Sequence, residues 1–150
     1  FFMANAYEYT GCTNKIYGME LELTLDPNPP VAGQPITLTV SSDFNQPITA
    51  EDYIYIKLLE GSPDREPLEK CEYKQKICFG NEALCPISVG KIVKVITKFT
   101  IPSESVINIR RLVILAYLGT PRVSDGYVVP IGCSCYSGNH KYCSDLEHGF

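Results

Sequence analysis

The sequence predicts an all-β fold, an immunoglobulin-like β-sandwich of two antiparallel sheets. Three observations predict it. Apolar and polar residues alternate with period two through most of the chain, the pattern of half-buried strands. Clusters of proline, glycine, asparagine and aspartate punctuate the alternating runs. No stretch of ten or more residues carries a helical hydrophobic period. A chain of 150 residues suits one domain, 1–150. A domain of that size buries roughly 70% of the surface its unfolded chain exposes.

Met19, Leu21, Leu23 and Leu25 alternate with Glu20, Glu22 and Thr24, which predicts a half-buried strand. Asp26-Pro27-Asn28-Pro29-Pro30 stops it, because proline cannot supply ladder donors. Val31 to Pro35 continues the turn, and a second strand sets Ile36, Leu38 and Val40 on one face. Asp52 to Glu60 is a third strand, apolar on both faces and therefore central. Gly61-Ser62-Pro63-Asp64 is a turn, and Glu69 to Pro86 is a polar stretch bearing cysteines. Lys91 to Ile101 is the next strand, with Val95 and Phe99 in one phase and Lys94 and Lys98 in the other. Ile109 to Leu118 follows, with Val113, Leu115 and Tyr117 in phase, and Tyr127 to Cys135 is the last strong strand.

The net charge of −4 argues against a nucleic-acid partner, which would favour a basic face. Seven cysteines point to an oxidising compartment and two or three disulfides, with one thiol left over. No run of eighteen apolar residues occurs, so no helix is expected to span a bilayer. Phe1 to Ala6 reads as the small-residue end of a signal peptide, and the rest as mature chain.

The sequence offers no catalytic constellation, so no enzyme is expected. His140 and His148 both lie in the last eleven residues, and no nucleophile elbow, phosphate loop or zinc-protease motif is present. Cys133, Cys135, His140 and Cys143 resemble a zinc set only loosely, and disulfides that tie down the tail are the better reading. No metal or cofactor is expected. Glu20 and Glu22 read as a solvated strand face rather than an acid–base pair. The ten tyrosines suit places that are apolar at one end and wet at the other, such as a core rim, an interface or a cavity mouth.

Four features occur in order along the chain. Cys12 is followed by a glycine and the strand from Gly18 to Leu25. The proline-rich turn leads into Gly33-Gln34 and the strand Ile36 to Val40. Leu84-Cys85-Pro86-Ile87 precedes Val89-Gly90 and a Lys/Val-rich strand. Tyr117 and Tyr127-Val128-Val129-Pro130 fall on the last strands. Together these resemble the ML domain, the lipid-recognition family that includes the Niemann–Pick type C sterol carriers and the fungal phosphatidylglycerol/phosphatidylinositol transfer proteins. The resemblance covers about residues 12 to 132, within a core of 12–135 followed by a cysteine-containing tail, 136–150.

The resemblance implies sheets that splay at one edge around an apolar cavity holding a phospholipid or a sterol. It implies a lining of Leu23, Leu25, Ile36, Leu38, Val40, Val95, Phe99, Ile101, Val113, Leu115, Tyr117 and Tyr127. Tyr117 and Tyr127 match family cavity positions that hold tryptophan in sterol carriers. It implies a bridge from Cys85 to Cys78 by the sterol-carrier spacing, or to Cys71 by the fungal spacing, with Cys78 preferred. Cys12 is expected to reach a late cysteine, Cys133 or Cys135, and Cys143 to clip the tail back to Cys71. A monomer is expected in the secreted or vacuolar–lysosomal space, meeting membranes transiently as lipid donor and acceptor. The competing reading is a β-sandwich protein-interaction module without a lipid ligand.

Overall fold

The computed structural model describes residues 7–11, 19–43, 47–65, 67–78, 85–86 and 92–144. Among them the strands are β1 (Glu8–Gly11), β2 (Met19–Glu20), β3 (Glu22–Asp26), β4 (Pro35–Asp43) and β5 (Tyr53–Glu60), then β6 (Leu68–Lys76), β7 (Ile92–Thr100), β8 (Leu112–Pro121) and β9 (Val128–Ser137). A 3-10 turn, Ile109–Arg111, leads into β8, and a short helix, α1 (His140–Ser144), follows β9. The larger sheet runs β1-β9-β8-β5-β6, with β2 also lying parallel along β9. The smaller sheet is β3-β4-β7 and wholly antiparallel.

The predicted alternation sets the smaller sheet. In β3, Leu23 and Leu25 are buried and Glu22, Thr24 and Asp26 are exposed. Register carries this phase across the sheet, since directly opposed residues share a face. Leu25 opposes Leu38, and Leu38 opposes Thr97. Leu23 opposes Val40, which opposes Val95, and Ile36 opposes Phe99.

The larger sheet meets that face with Ile54, Ile56 and Leu58 of β5, Leu112, Ile114, Ala116 and Leu118 of β8, and Tyr136 of β9. Each buried Leu, Ile or Val side chain contributes about 1.5–3 kcal/mol relative to an exposed one, so this double wall dominates the stability. β5 is interior, between β8 and β6, as its two apolar faces predict.

Two differences from the sequence reading concern β6 and β8. β6 forms within the stretch read as polar and irregular. Its inward residues are Cys71, Tyr73 and Gln75, and beyond the exposed Leu68 its outward ones are charged, so the apolar half of the alternation is faint. As an edge strand it carries Lys70, Lys74 and Lys76, which discourage pairing with another chain.

β8 is buried from Leu112 to Gly119 without a break. Period two cannot choose a phase when both faces are apolar. Val113, Leu115 and Tyr117 therefore lie on the outer face, where they join Tyr55, Leu59, Cys133 and Cys135 in a second cluster. Tyr142 and Cys143 of the tail cover that cluster. This corrects the expectation that Val113, Leu115 and Tyr117 face the interior between the sheets.

Candidate functional site

The interior between the sheets unites eight of the residues expected to line a cavity. Leu23, Leu25, Ile36, Leu38, Val40, Val95, Phe99 and Ile101 all belong to one buried cluster. Ile54, Ile56, Leu58, Leu112, Ile114, Ala116 and Leu118 complete its other wall and were missed, because the two phases of β5 and β8 are equally apolar. Among the described residues Asp52 is the one buried charged side chain, and the Thr49 amide and the Thr120 hydroxyl donate to it.

At one side of the interior, the edge strand β6 of the larger sheet faces the edge strand β7 of the smaller one. There the link is made by side chains. Tyr73 stacks on Phe99 with centroids 5.0 Å apart, and its hydroxyl donates to the Thr100 carbonyl at 3.2 Å. Burial, with the nearby Cys71 adding to it, pushes the Tyr73 phenol above its usual pKa, so the ring is a neutral donor at physiological pH. Cys71, a free thiol, packs against the same core two residues earlier. Thr97 points inward between Val95 and Phe99 and is 5% exposed. Its place in the Val95–Thr97–Phe99 alternation was the signal for it, though a threonine in an apolar phase passes as strand filler.

The disulfides lie on both faces of the larger sheet, Cys85 against the inner cluster and Cys135 and Cys143 in the outer one. Cys78, just after β6, is bonded to Cys85. Cys133 is disulfide-bonded, and Cys12, the partner expected for it or for Cys135, lies outside the described residues. Cys135 is bonded to Cys143. The expected Cys71–Cys143 bond is thereby corrected: Cys71 faces the inner core, whereas Cys143 sits on the outer cluster. With Cys133, Cys135 and Cys143 all oxidised, none of these sulfurs is a thiolate for zinc.

Tyr127 corrects differently. It precedes β9, is 47% exposed, and lines a pocket of about 250 Å³ on the outer face with Tyr55, Lys57, Glu72, Tyr117 and Val128. Tyr55 and Tyr117, cross-strand partners, stack there at 5.0 Å, and Lys57 pairs with Glu69 and Glu72 at 3.4 and 3.7 Å. Burial foremost, with Glu72 adding to it, pushes the Tyr117 phenol up. The pocket falls below the roughly 300–1,000 Å³ of sites for drug-sized ligands, so it does not suit a lipid body.

Two sheets facing each other over an apolar interior define an antiparallel β-sandwich. The family model of the ML domain matches residues 6–117, well over half of the chain, and the chain belongs to that family. Among solved structures it is similar to chicken MD-1 complexed with lipid IVa, at 13% identity over 91% of this chain and 90% of that one, with a TM-score of 0.48. It is also similar to Spo0M, a sporulation control protein from Bacillus subtilis, at 12% identity over 75% of this chain and 48% of that one, with a TM-score of 0.39. No curated protein sequence matches the chain.

Proposed function

We propose that this protein is a lipid carrier, not an enzyme, that holds a phospholipid or a sterol between its two sheets. The observation that carries the reading is the construction of the interior. Both walls are aliphatic and aromatic, and the β6–β7 side is bridged by the Tyr73–Phe99 stack between strands of different sheets. Side-chain bridges part at far lower cost than a backbone ladder. A lipid entering there buries hydrocarbon at roughly 25 cal/mol per Å², before the costs of association. Membership of the ML family supports the same reading.

The lining in this reading is Leu23, Leu25, Ile36, Leu38, Val40, Val95, Phe99 and Ile101, together with the facing residues of β5 and β8. The protein acts as a monomer that meets donor and acceptor membranes transiently, in a secreted or vacuolar–lysosomal space. The disulfides Cys78–Cys85 and Cys135–Cys143 suit such an oxidising compartment. Organic extraction of the purified protein followed by mass spectrometry tests the reading, alongside uptake of labelled phospholipid and sterol from vesicles. Bound lipid or measurable uptake is expected. Finding neither would sink it.

A further inference from the structure

Five polar side chains are buried among the described residues: Asp52, Ser62, Thr97, Ser134 and Ser137. Four of them are hydrogen-bonded. Asp52 accepts from the Thr49 amide and the Thr120 hydroxyl, and Ser62 donates to Asp64. Ser134 donates to the Leu21 carbonyl and Ser137 to the Leu112 carbonyl. Among the described residues the Thr97 hydroxyl has no partner.

Buried hydroxyls are nearly always satisfied, because leaving one unpaired forfeits its hydration without return. Water is a poor candidate to fill the gap. A buried water needs two to four polar partners, and Thr97 is opposed by Leu38 and flanked along its strand by Val95 and Phe99 on the same face. A hydroxyl in this position needs an oxygen brought in by a hydrocarbon body.

We infer that the Thr97 hydroxyl is the polar anchor of the inter-sheet site, selecting lipids that carry one hydrogen-bonding oxygen within their apolar part. The inference rests on the carrier reading above. Asp52, the one buried charged side chain among the described residues, is already bonded to Thr49 and Thr120, so the Thr97 hydroxyl pairs with a neutral oxygen and leaves a charged head group outside. Two lipid sources offer that oxygen: the hydroxyl of a sterol and the ester carbonyl of an acyl chain.

The test uses two matched pairs of probes, cholesterol against its 3-deoxy analogue and ester-linked against ether-linked phosphatidylcholine. Each competes with a fluorescent lipid for the full chain, as wild type and as T97V, T97A and T97S. Wild type is expected to favour the member of one pair that carries the hydroxyl or the ester carbonyl by about 5–30-fold, the worth of one buried hydrogen bond. The pair that responds identifies the source of the oxygen. T97V removes the hydroxyl at nearly constant shape, so it should erase the preference by weakening that member alone. T97A should erase it as well, and T97S should keep it. A preference that survives in T97V and T97A overturns the inference, as does wild type with no preference in either pair, and in both cases lipid binding stands. Wild type that takes up none of the probes overturns the carrier reading and this inference with it.

Discussion

Tyr73 of β6 and Phe99 of β7 stack at 5.0 Å although their strands belong to different sheets. The pair closes the side of the sandwich where no backbone ladder does, and the Tyr73 hydroxyl bond to Thr100 reinforces it. Replacing Phe99, which is buried, by alanine should cost about 3–5 kcal/mol. Tyr73 is only partly buried, so Y73A should cost less. A double-mutant cycle by urea denaturation should return a coupling of about 0.5–1.5 kcal/mol, typical of an aromatic pair. Y73A should also speed lipid exchange, because the stack stands at the proposed entry. A coupling near zero would show that the pair does not hold the edge.

The same edge shows what was legible in the sequence. The smaller sheet could be read directly, because Leu23, Leu25, Ile36, Leu38, Val40, Val95 and Phe99 alternate with polar neighbours that name the wet face. β8 could not, because Leu112 to Leu118 is apolar at every position. Only its pairing of Ile114, Ala116 and Leu118 with Leu58, Ile56 and Ile54 decides which phase faces inward. Tyr117 went to the wrong side for that reason. β6 was hidden because its inward face offers a cysteine, a tyrosine and a glutamine rather than branched aliphatics. The tail was illegible because a Cys135–Cys143 bond and a lid over an outer cluster leave no periodic trace.

Gly61 and Tyr142 are matched by a close approach. A Cβ at Gly61 would stand 2.4 Å from the Tyr142 Cγ, so the ring occupies space that only glycine leaves free. G61A should push Tyr142 off the outer cluster and cost about 1–3 kcal/mol, as overpacking does. C143S should release the same tail. Loss of a loop of this size from the unfolded-state constraint costs about 2–3 kcal/mol. Both variants should become sensitive to limited proteolysis after residue 137. Lipid uptake should persist in both, since the outer cluster is separate from the inter-sheet one. Tail cleavage equal to that of wild type would contradict the lid role.

Asn28 explains why the proline-rich turn carries an amide at its centre. Its Oδ1 accepts from the Tyr7 amide at 2.7 Å, and its Nδ2 donates to the Tyr7 carbonyl at 3.1 Å and to the Tyr136 hydroxyl at 2.6 Å. One side chain thus ties the residue before β1 to β9. N28A should destabilise the protein by about 1–2 kcal/mol through the bonds it leaves unmade. N28D keeps an acceptor for the Tyr7 amide but cannot donate to the Tyr7 carbonyl, so it should fall between the two. Amide exchange at Tyr7 provides the local reading, and exchange in N28A as slow as in wild type would count against the tie.

Alkaline pH should unfold this protein through its tyrosines. Burial raises the phenols of Tyr7 and Tyr117 well above their ordinary value, and those of Tyr55 and Tyr73 in the same direction. Tyr7 also donates its proton to the Ile109 carbonyl at 2.8 Å, a bond that ionisation would abolish. In the unfolded chain these groups titrate near pH 10. Above that pH the unfolded state holds fewer protons than the folded one, so the stability falls as pH rises. The stability these groups protect is fully present below about pH 10 and is lost as pH climbs toward their folded values. A pH titration should show one fraction of tyrosinate absorbance appearing while the circular dichroism is native, and a second fraction appearing only as the dichroism collapses. Y7F should reduce the alkaline slope of stability, at the cost of the Ile109 bond at neutral pH. Complete ionisation of all ten tyrosines with the native spectrum intact would refute the linkage.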